Sequence, residues 1–208
     1  TTLFRSIATQ YVGSLETAIN EFANTLNKKG ASRVNVGSGQ FQGNIAEFWH
    51  ADTFNVEAAA RGSNHRAFID RSHDFASADI SSNFGKLFGL KYCKTGEASA
   101  KQQAKSVFER FREYRSAGGK DTLEAFLEKR GFSDDSVLHD PIYSGQIRII
   151  PKDQLEVARQ WLKNKIATES TIRSTQIERY KDTLKMLSDR LEDGQGTESI
   201  ALDRKSVV

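Results

Sequence analysis

The period of the apolar residues changes four times along this chain, and that alternation limits the possible folds more than any other feature. Residues 3–29 place Leu3, Ile7, Tyr11, Leu15, Ala18, Ile19, Phe22 and Leu26 at helical spacing, and Lys28-Lys29-Gly30 is a stop signal. A Gly-rich loop follows over residues 30–44. A second helix is expected from Asn44 to Ala60, with Ile45, Phe48, Trp49 and Val56 on its apolar side. The pattern then turns extended. Arg66–Asp70 and Ala76–Ile80 read as strands, Ser82-Asn83-Phe84-Gly85-Lys86 as a turn, and Leu87–Cys93 as a strand of apolar and aromatic groups. Residues 76–93 therefore read as a β-hairpin. Helical spacing returns over Glu97–Ser116 and stops at Ala117-Gly118-Gly119. A short helix runs from Asp121 to Arg130 behind a capping-box-like acid, and residues 131–145 form a loop. Gln146–Ile150 is a strand closed by Pro151, and Asp153 caps a helix to Ala167. A long helix is expected over Thr168–Glu192.

Helices and strands in this order predict an α+β fold: a small mixed sheet flanked by helices, with extra helices at both ends. The expected units are an N-terminal helix (1–29), an α/β core (30–167) and a C-terminal helical extension (168–208). The chain has 208 residues, 38% hydrophobic and 27% charged, which excludes a disordered chain and suffices for a core. Two prolines and one cysteine exclude collagen-like and disulfide-stapled scaffolds. Apolar runs fall short of the roughly 18 residues that a membrane span needs, so no membrane is expected as a partner. The lone Cys93 and the lack of a signal-peptide pattern point to a cytoplasmic, reducing compartment. The start at Thr1 and the end at Asp203–Val208 suggest a piece of something longer.

The net charge of +3 says little, but its distribution says more. Residues 86–120 carry nine Lys or Arg against three Asp or Glu, while both flanks are slightly acidic. A basic patch confined to one stretch suits phosphate contacts, and its plain alternative is a solvated helix face.

The patch follows a suggestive constellation. Glu47 lies on a predicted helix, Asp79 in the first strand of the hairpin, and Lys91 in the second. Mg²⁺ or Mn²⁺ needs hard oxygen ligands, such as Glu47 and Asp79, and a bound cation stabilises charge on a phosphodiester under attack. A neighbouring ammonium, Lys91, assists the phosphate or the water. In this order of residues the chain resembles the PD-(D/E)xK, or restriction-endonuclease-like, nuclease superfamily over residues 40–150. The resemblance implies an αβββαβ core, a helix Glu at Glu47, a strand acid at Asp79 and the motif lysine at Lys91. It also implies substrate contacts from the following helix, where Gln102 and Gln103 stand. One position departs from the motif: Gly89-Leu90-Lys91 stands where an acid, any residue and lysine are expected. Glu97 is the candidate displaced acid.

Two functions follow, in order. The first is a metal-dependent nuclease, or a degenerate nuclease-like domain that binds DNA or RNA. Lys94, Lys101, Gln102, Lys105, Arg110 and Arg112 would be its nucleic-acid contacts. The alternative is a non-catalytic assembly domain of a larger bacterial or phage protein, a homo-oligomer included, built on the terminal helices. A third reading, an effector acting on a small ligand, rests on His50, Asp52 and Asn55. The cluster His65, Arg66, Asp70, Arg71, His73 and Asp74 fits no zinc spacing and reads as a salt-bridged loop, with Arg66 and Arg71 as possible phosphate contacts. No nucleophile elbow, dinucleotide fingerprint or P-loop occurs.

Overall fold

The computed structural model describes residues 2–31, 38–70, 72 and 75–207. The helical spacing of the first thirty residues becomes α1 (Thr2–Ala31), and α2 (Ser38–Ala60) follows. Three antiparallel strands come next: β1 (Ala67–Ile69), β2 (Ile80–Ser82) and β3 (Leu87–Leu90). α3 (Gly96–Gln103), α4 (Val107–Ser116) and α5 (Leu123–Glu128) lead to β4 (Ile147–Ile149), which pairs parallel to β3. α6 (Leu155–Thr168) and α7 (Ser174–Met186) then lead to β5 (Leu187–Ser188), parallel to β4. The sheet order is β1-β2-β3-β4-β5, and the fold is α+β as expected.

Strand side chains alternate between faces, and the core splits accordingly. Ile80, Phe88, Leu90 and Ile149 face α2 and pack on Ala46, Ala51, Phe54 and Ala58. Ile150 and Leu187 face the other way, into a cluster with Ala100, Ala104, Ala158, Leu162 and Tyr180 from α3, α6 and α7. A third cluster joins α4 and α5 through Val107, Phe126 and Leu127, with Phe75, Phe111 and Tyr114 against it. α1 lies on α2, with Ala18 buried and the Phe22 ring edge-on to Trp49 at 5.7 Å. Val12, Ile19 and Leu26 on α1 stay exposed.

Several elements differ from the sequence reading: α2 begins at Ser38, inside the loop expected over residues 30–44, and β2 begins at Ile80, where the strand expected from Ala76 was to end. The single helix expected over residues 97–116 breaks at Ala104-Lys105-Ser106. Ser106 caps α4 in a reciprocal box with Glu109, and Ile142 N–H donates to Lys105 O, so the backbone there serves a tertiary pairing. The helix expected to reach Glu192 ends at Met186, because Leu187 and Ser188 join the sheet beside Arg148 and Ile149. Residues beyond β5 are not a helical appendage. Leu191 and Leu202 enter the α2 core, and Ile200 accepts a hydrogen bond from Trp49 Nε1 at 2.8 Å. No helix among the described residues is long and apolar enough to cross a membrane.

His50 shows how that returning segment is held. Its ring is fully buried, with Nδ1 2.8 Å from Ser199 Oγ and Nε2 2.8 Å from the Tyr92 hydroxyl. Burial disfavours the imidazolium and drives the pKa to about 3, with Asp189 partly opposing and Arg190 assisting. An unfolded chain protonates this histidine near pH 6.5, whereas the folded one does not until about pH 3. Between those values the unfolded state binds the extra proton, so His50 lowers stability as pH falls through that window. Urea unfolding midpoints from pH 7 to pH 4 should therefore shift less for His50→Gln than for the wild type, and the wild-type ring should stay neutral by NMR at pH 5.

Candidate functional site

The pleat fixes the site. Phe88 and Leu90 point at α2, so Gly89 and Lys91 point at the opposite face. The register pairs Ile80 with Phe88, and Asp79 N–H donates to Phe88 O, which sets Asp79 across from Gly89 on that same face. Asp79 and Lys91, expected within the strands, sit one residue outside them, while their backbone N–H groups extend the ladder.

The two side chains meet. Asp79 Oδ2 accepts from Leu90 N–H at 2.5 Å and lies 3.6 Å from Lys91 Nζ. Each side chain keeps about a quarter of its surface exposed, so solvent reaches the pair. Lys91 Nζ also donates to Leu90 O at 2.8 Å and stands 4.6 Å from the centre of the Tyr143 ring. Burial opposes its charge, but Tyr143 and Asp79 outweigh that and hold the ammonium above its ordinary pKa. Lys91 is therefore a cation at every physiological pH.

Gly89 has a steric reason. A Cβ there would lie 2.6 Å from Gln146 Oε1 and 3.6 Å from Tyr143 Cδ1. Gln146 Nε2 donates to Ala76 O at 2.8 Å, and its buried Oε1 has no hydrogen-bond partner. Ala76 takes a left-handed backbone with φ 64°, a conformation uncommon outside glycine. On the other side Gln103 spans two strands, its Nε2 donating to Gly89 O at 2.9 Å and to Ile149 O at 3.1 Å. A carboxamide thus stands beside Asp79 at the place where a side chain of residue 89 would begin.

The other candidates are placed as follows. Glu47 is half-buried on α2, the helix that covers the opposite face of the sheet. Glu97 lies in the first turn of α3, in a cavity with Trp161, Lys165 and Tyr180, and makes no ion pair with Lys91. The site proper offers one carboxylate and one ammonium. Among the described residues, no group of three or more His, Cys, Asp or Glu side chains could hold a metal ion. One oxygen of Asp79 is already bonded to Leu90 N–H, and the second acid of the motif is absent at Gly89. This donor set does not fit a two-carboxylate Mg²⁺ or Mn²⁺ site.

The basic residues divide around α4. Lys94 and Lys101 are exposed. Lys105 is buried, 2.6 Å from Glu113 and donating to Gln102 Oε1 at 2.5 Å. Lys101, Lys105 and Arg112 line a groove on one side of α4. Arg110 belongs to the other side, in a cleft with Phe75, Ala76, Asp121, Lys129, Arg130, Ile142 and Tyr143. Sequence reasoning missed Tyr143, Gln146, Lys129 and Arg130. The first stood in an apparent loop, Gln146 opened a strand, and the last two ended a short helix.

The described members of the histidine-rich and aromatic clusters are engaged in contacts within the fold. His50 is in the core, and Asn55 Nδ2 donates to Ala67 O while its Oδ1 accepts from Ala67 N–H, fixing α2 to β1. Burial raises the Asp52 pKa, a Thr25 hydrogen bond opposes this, and Glu21 adds to it, so Asp52 belongs to the α1–α2 contact. His65 Nδ1 lies 3.0 Å from Asp193 Oδ2. Burial alone would push that carboxyl up, but hydrogen bonds from His65, Gln195 and Thr197 hold it below the usual range. Arg66 donates to Ser63 O and His65 O, and Asp70 accepts from Ser72 N–H. Arg71, His73 and Asp74 lie outside the described residues.

No family model matches the chain, and neither a curated protein nor a solved structure matches it.

The crowding at Gly89 is open to test. Gly89→Ala should destabilise by about 1 kcal/mol, because the Gln146 carboxamide must move and give up Ala76. In a double-mutant cycle with Gln146→Ala, the penalty should largely vanish in the urea midpoint.

Proposed function

We propose that this chain is a nuclease-like domain that binds nucleic acid and does not cut it. The observation that carries the reading is the convergence of Asp79 and Lys91 at a solvent-exposed point beside Gly89. Its support from the fold is the order of elements: a helix, three antiparallel strands, a helical crossover and a parallel strand. That order matches the αβββαβ core implied by the resemblance to the PD-(D/E)xK superfamily.

The chemistry favours binding over cleavage. Metal-assisted phosphodiester hydrolysis needs a cation to lower the pKa of the attacking water and to offset charge on the phosphorus oxygens. Among the described residues Asp79 is the one carboxylate at the site, and an ammonium lies beside it. That ammonium would repel a divalent cation. A phosphate oxygen, by contrast, can accept from Lys91 Nζ without displacing a protein group that has no other partner, since Asp79 keeps Leu90 N–H. Arg110, Lys129 and Arg130, in the cleft beside Tyr143, supply the surrounding positive field. A cytoplasmic location, where nucleic acid is available, is part of the same reading.

Electrophoretic retardation of labelled DNA and RNA, with and without Mg²⁺ or Mn²⁺, tests this. Retardation is expected without metal and without cleavage, with affinity falling steeply as salt rises. Lys91→Ala should weaken binding by roughly three- to tenfold, as expected for one lost phosphate contact. Metal-dependent cutting that Asp79→Ala abolishes would restore the enzymatic reading, and no retardation at low salt would end the nucleic-acid reading altogether.

A further inference from the structure

We infer that the cleft between α4, α5 and Tyr143 is a subsite for one unpaired nucleotide of a single-stranded nucleic acid, with Arg130 as its phosphate-binding group. The inference rests on the nucleic-acid reading above and names the kind of strand and the place it occupies.

The cleft holds about 550 Å³, a size that suits a nucleotide-scale ligand. Arg110, Lys129 and Arg130 line it against a single acid among the described residues, Asp121. Asp121 is already committed: Lys129 Nζ lies 2.7 Å from its Oδ1. Arg110 leans on Glu113 at 3.2 Å, which also serves Lys105. Arg130 is different. No carboxylate pairs with it among the described residues. Its guanidinium lies 3.6 Å from the centre of the Phe126 ring, with Phe75 at 5.3 Å and Tyr114 at 5.5 Å. Nη1 donates to Phe126 O at 2.9 Å, and the buried Nε has no partner. A guanidinium seated over an aromatic ring, with no carboxylate beside it among the described residues, is a ready partner for a phosphate.

The walls add a second reason. Phe75 and Tyr143 bring aromatic surface to a cationic concavity, the combination by which proteins hold unpaired bases beside their phosphates. The cleft is also continuous with the Lys91 site. Tyr143 lines it and carries Lys91 Nζ over its ring, while Ala76 lines it and accepts the hydrogen bond of Gln146. A strand whose phosphate meets Lys91 would therefore pass over Tyr143 into the cleft.

Fluorescence anisotropy with a labelled oligothymidylate tests the assignment. Arg110→Gln/Lys129→Gln changes two side chains that are more than half exposed, so the fold should survive. That variant leaves Arg130 in place and removes two cations from the field around it, so it should bind roughly threefold more weakly, and the loss should shrink as salt rises. Arg130→Lys keeps the charge and loses the fork, and should weaken binding while melting like the wild type. Lys101→Gln/Arg112→Gln, in the opposite groove, should stay within about twofold. If that groove variant takes the loss and the cleft variants bind normally, the cleft assignment falls and the nucleic-acid reading stands. Binding of duplex as tight as that of the strand would overturn the single-strand assignment, and displacement by equal inorganic phosphate would mark a small-anion site instead. If the wild type binds no strand at low salt, the broader reading itself has failed.

Discussion

A fully buried arginine in the middle of the sheet is the constraint around which the site is built. Arg148 on β4 has no exposed surface. A charge there is costly unless it is paired and hydrogen-bonded. Burial lowers its pKa, and Asp182 opposes that shift. Asp182 lies 2.5 Å from Nη2, Thr183 Oγ1 accepts from Nη1, and Tyr143 O accepts from Nη2 at 3.4 Å. These partners come from α7 and from the turn before β4. One side chain therefore joins the parallel strand, the helix behind it and the residue that carries Lys91. Removing a partner would strand the charge, so the geometry of the turn and of α7 cannot drift independently.

The same row of the sheet accounts for Gly89. The register pairs Gly89 with Arg148 on one side, and Asp79 faces it on the other. Tyr143 and Gln146 cover the glycine from the turn that Arg148 holds. The space that an acid would need is filled by a carboxamide, and the acid's neighbours would be Asp79 and a buried guanidinium. In this chain the glycine at position 89 and the packing of the turn are one arrangement. The glycine is a consequence of close approach, not of turn geometry, since its φ is not in the left-handed region.

Much of the fold was legible because its signals are local. The apolar stripe of α1, the apolar residues of β3, and Pro151 after β4 all marked their elements. The failures share a cause. Leu184, Leu187 and Leu191 keep helical spacing, yet pairing with β4 draws Leu187 and Ser188 out of the helix. The break at Ala104-Lys105-Ser106 answers to the segment around Pro141 and Ile142, far away in sequence. At the site, Asp79 and Lys91 were legible because a hairpin brings its own strands together. Tyr143 and Gln146 were not, because β4 reaches β3 only through a crossover of some fifty residues that carries no periodic signal of its contacts. Lys105 stood in a basic run yet is spent on Glu113, which composition cannot reveal.

This division of the lysines and arginines refines the meaning of the basic stretch. Its surplus of charge suggested one continuous phosphate-binding helix. The helix break instead sends Lys101, Lys105 and Arg112 to one side of α4 and Arg110 to the other. On the first side Glu109 and Glu113 share the groove with the cations. On the second, Lys129 and Arg130 arrive from α5, outside the stretch that the charge count singled out, and Arg130 has no acid against it among the described residues. The side with the uncompensated cation is also the side that reaches Lys91 through Tyr143. Local charge density singled out one stretch of the chain, but the packing of α5 on α4, through Phe126, Phe111 and Tyr114, decides which cations share a face.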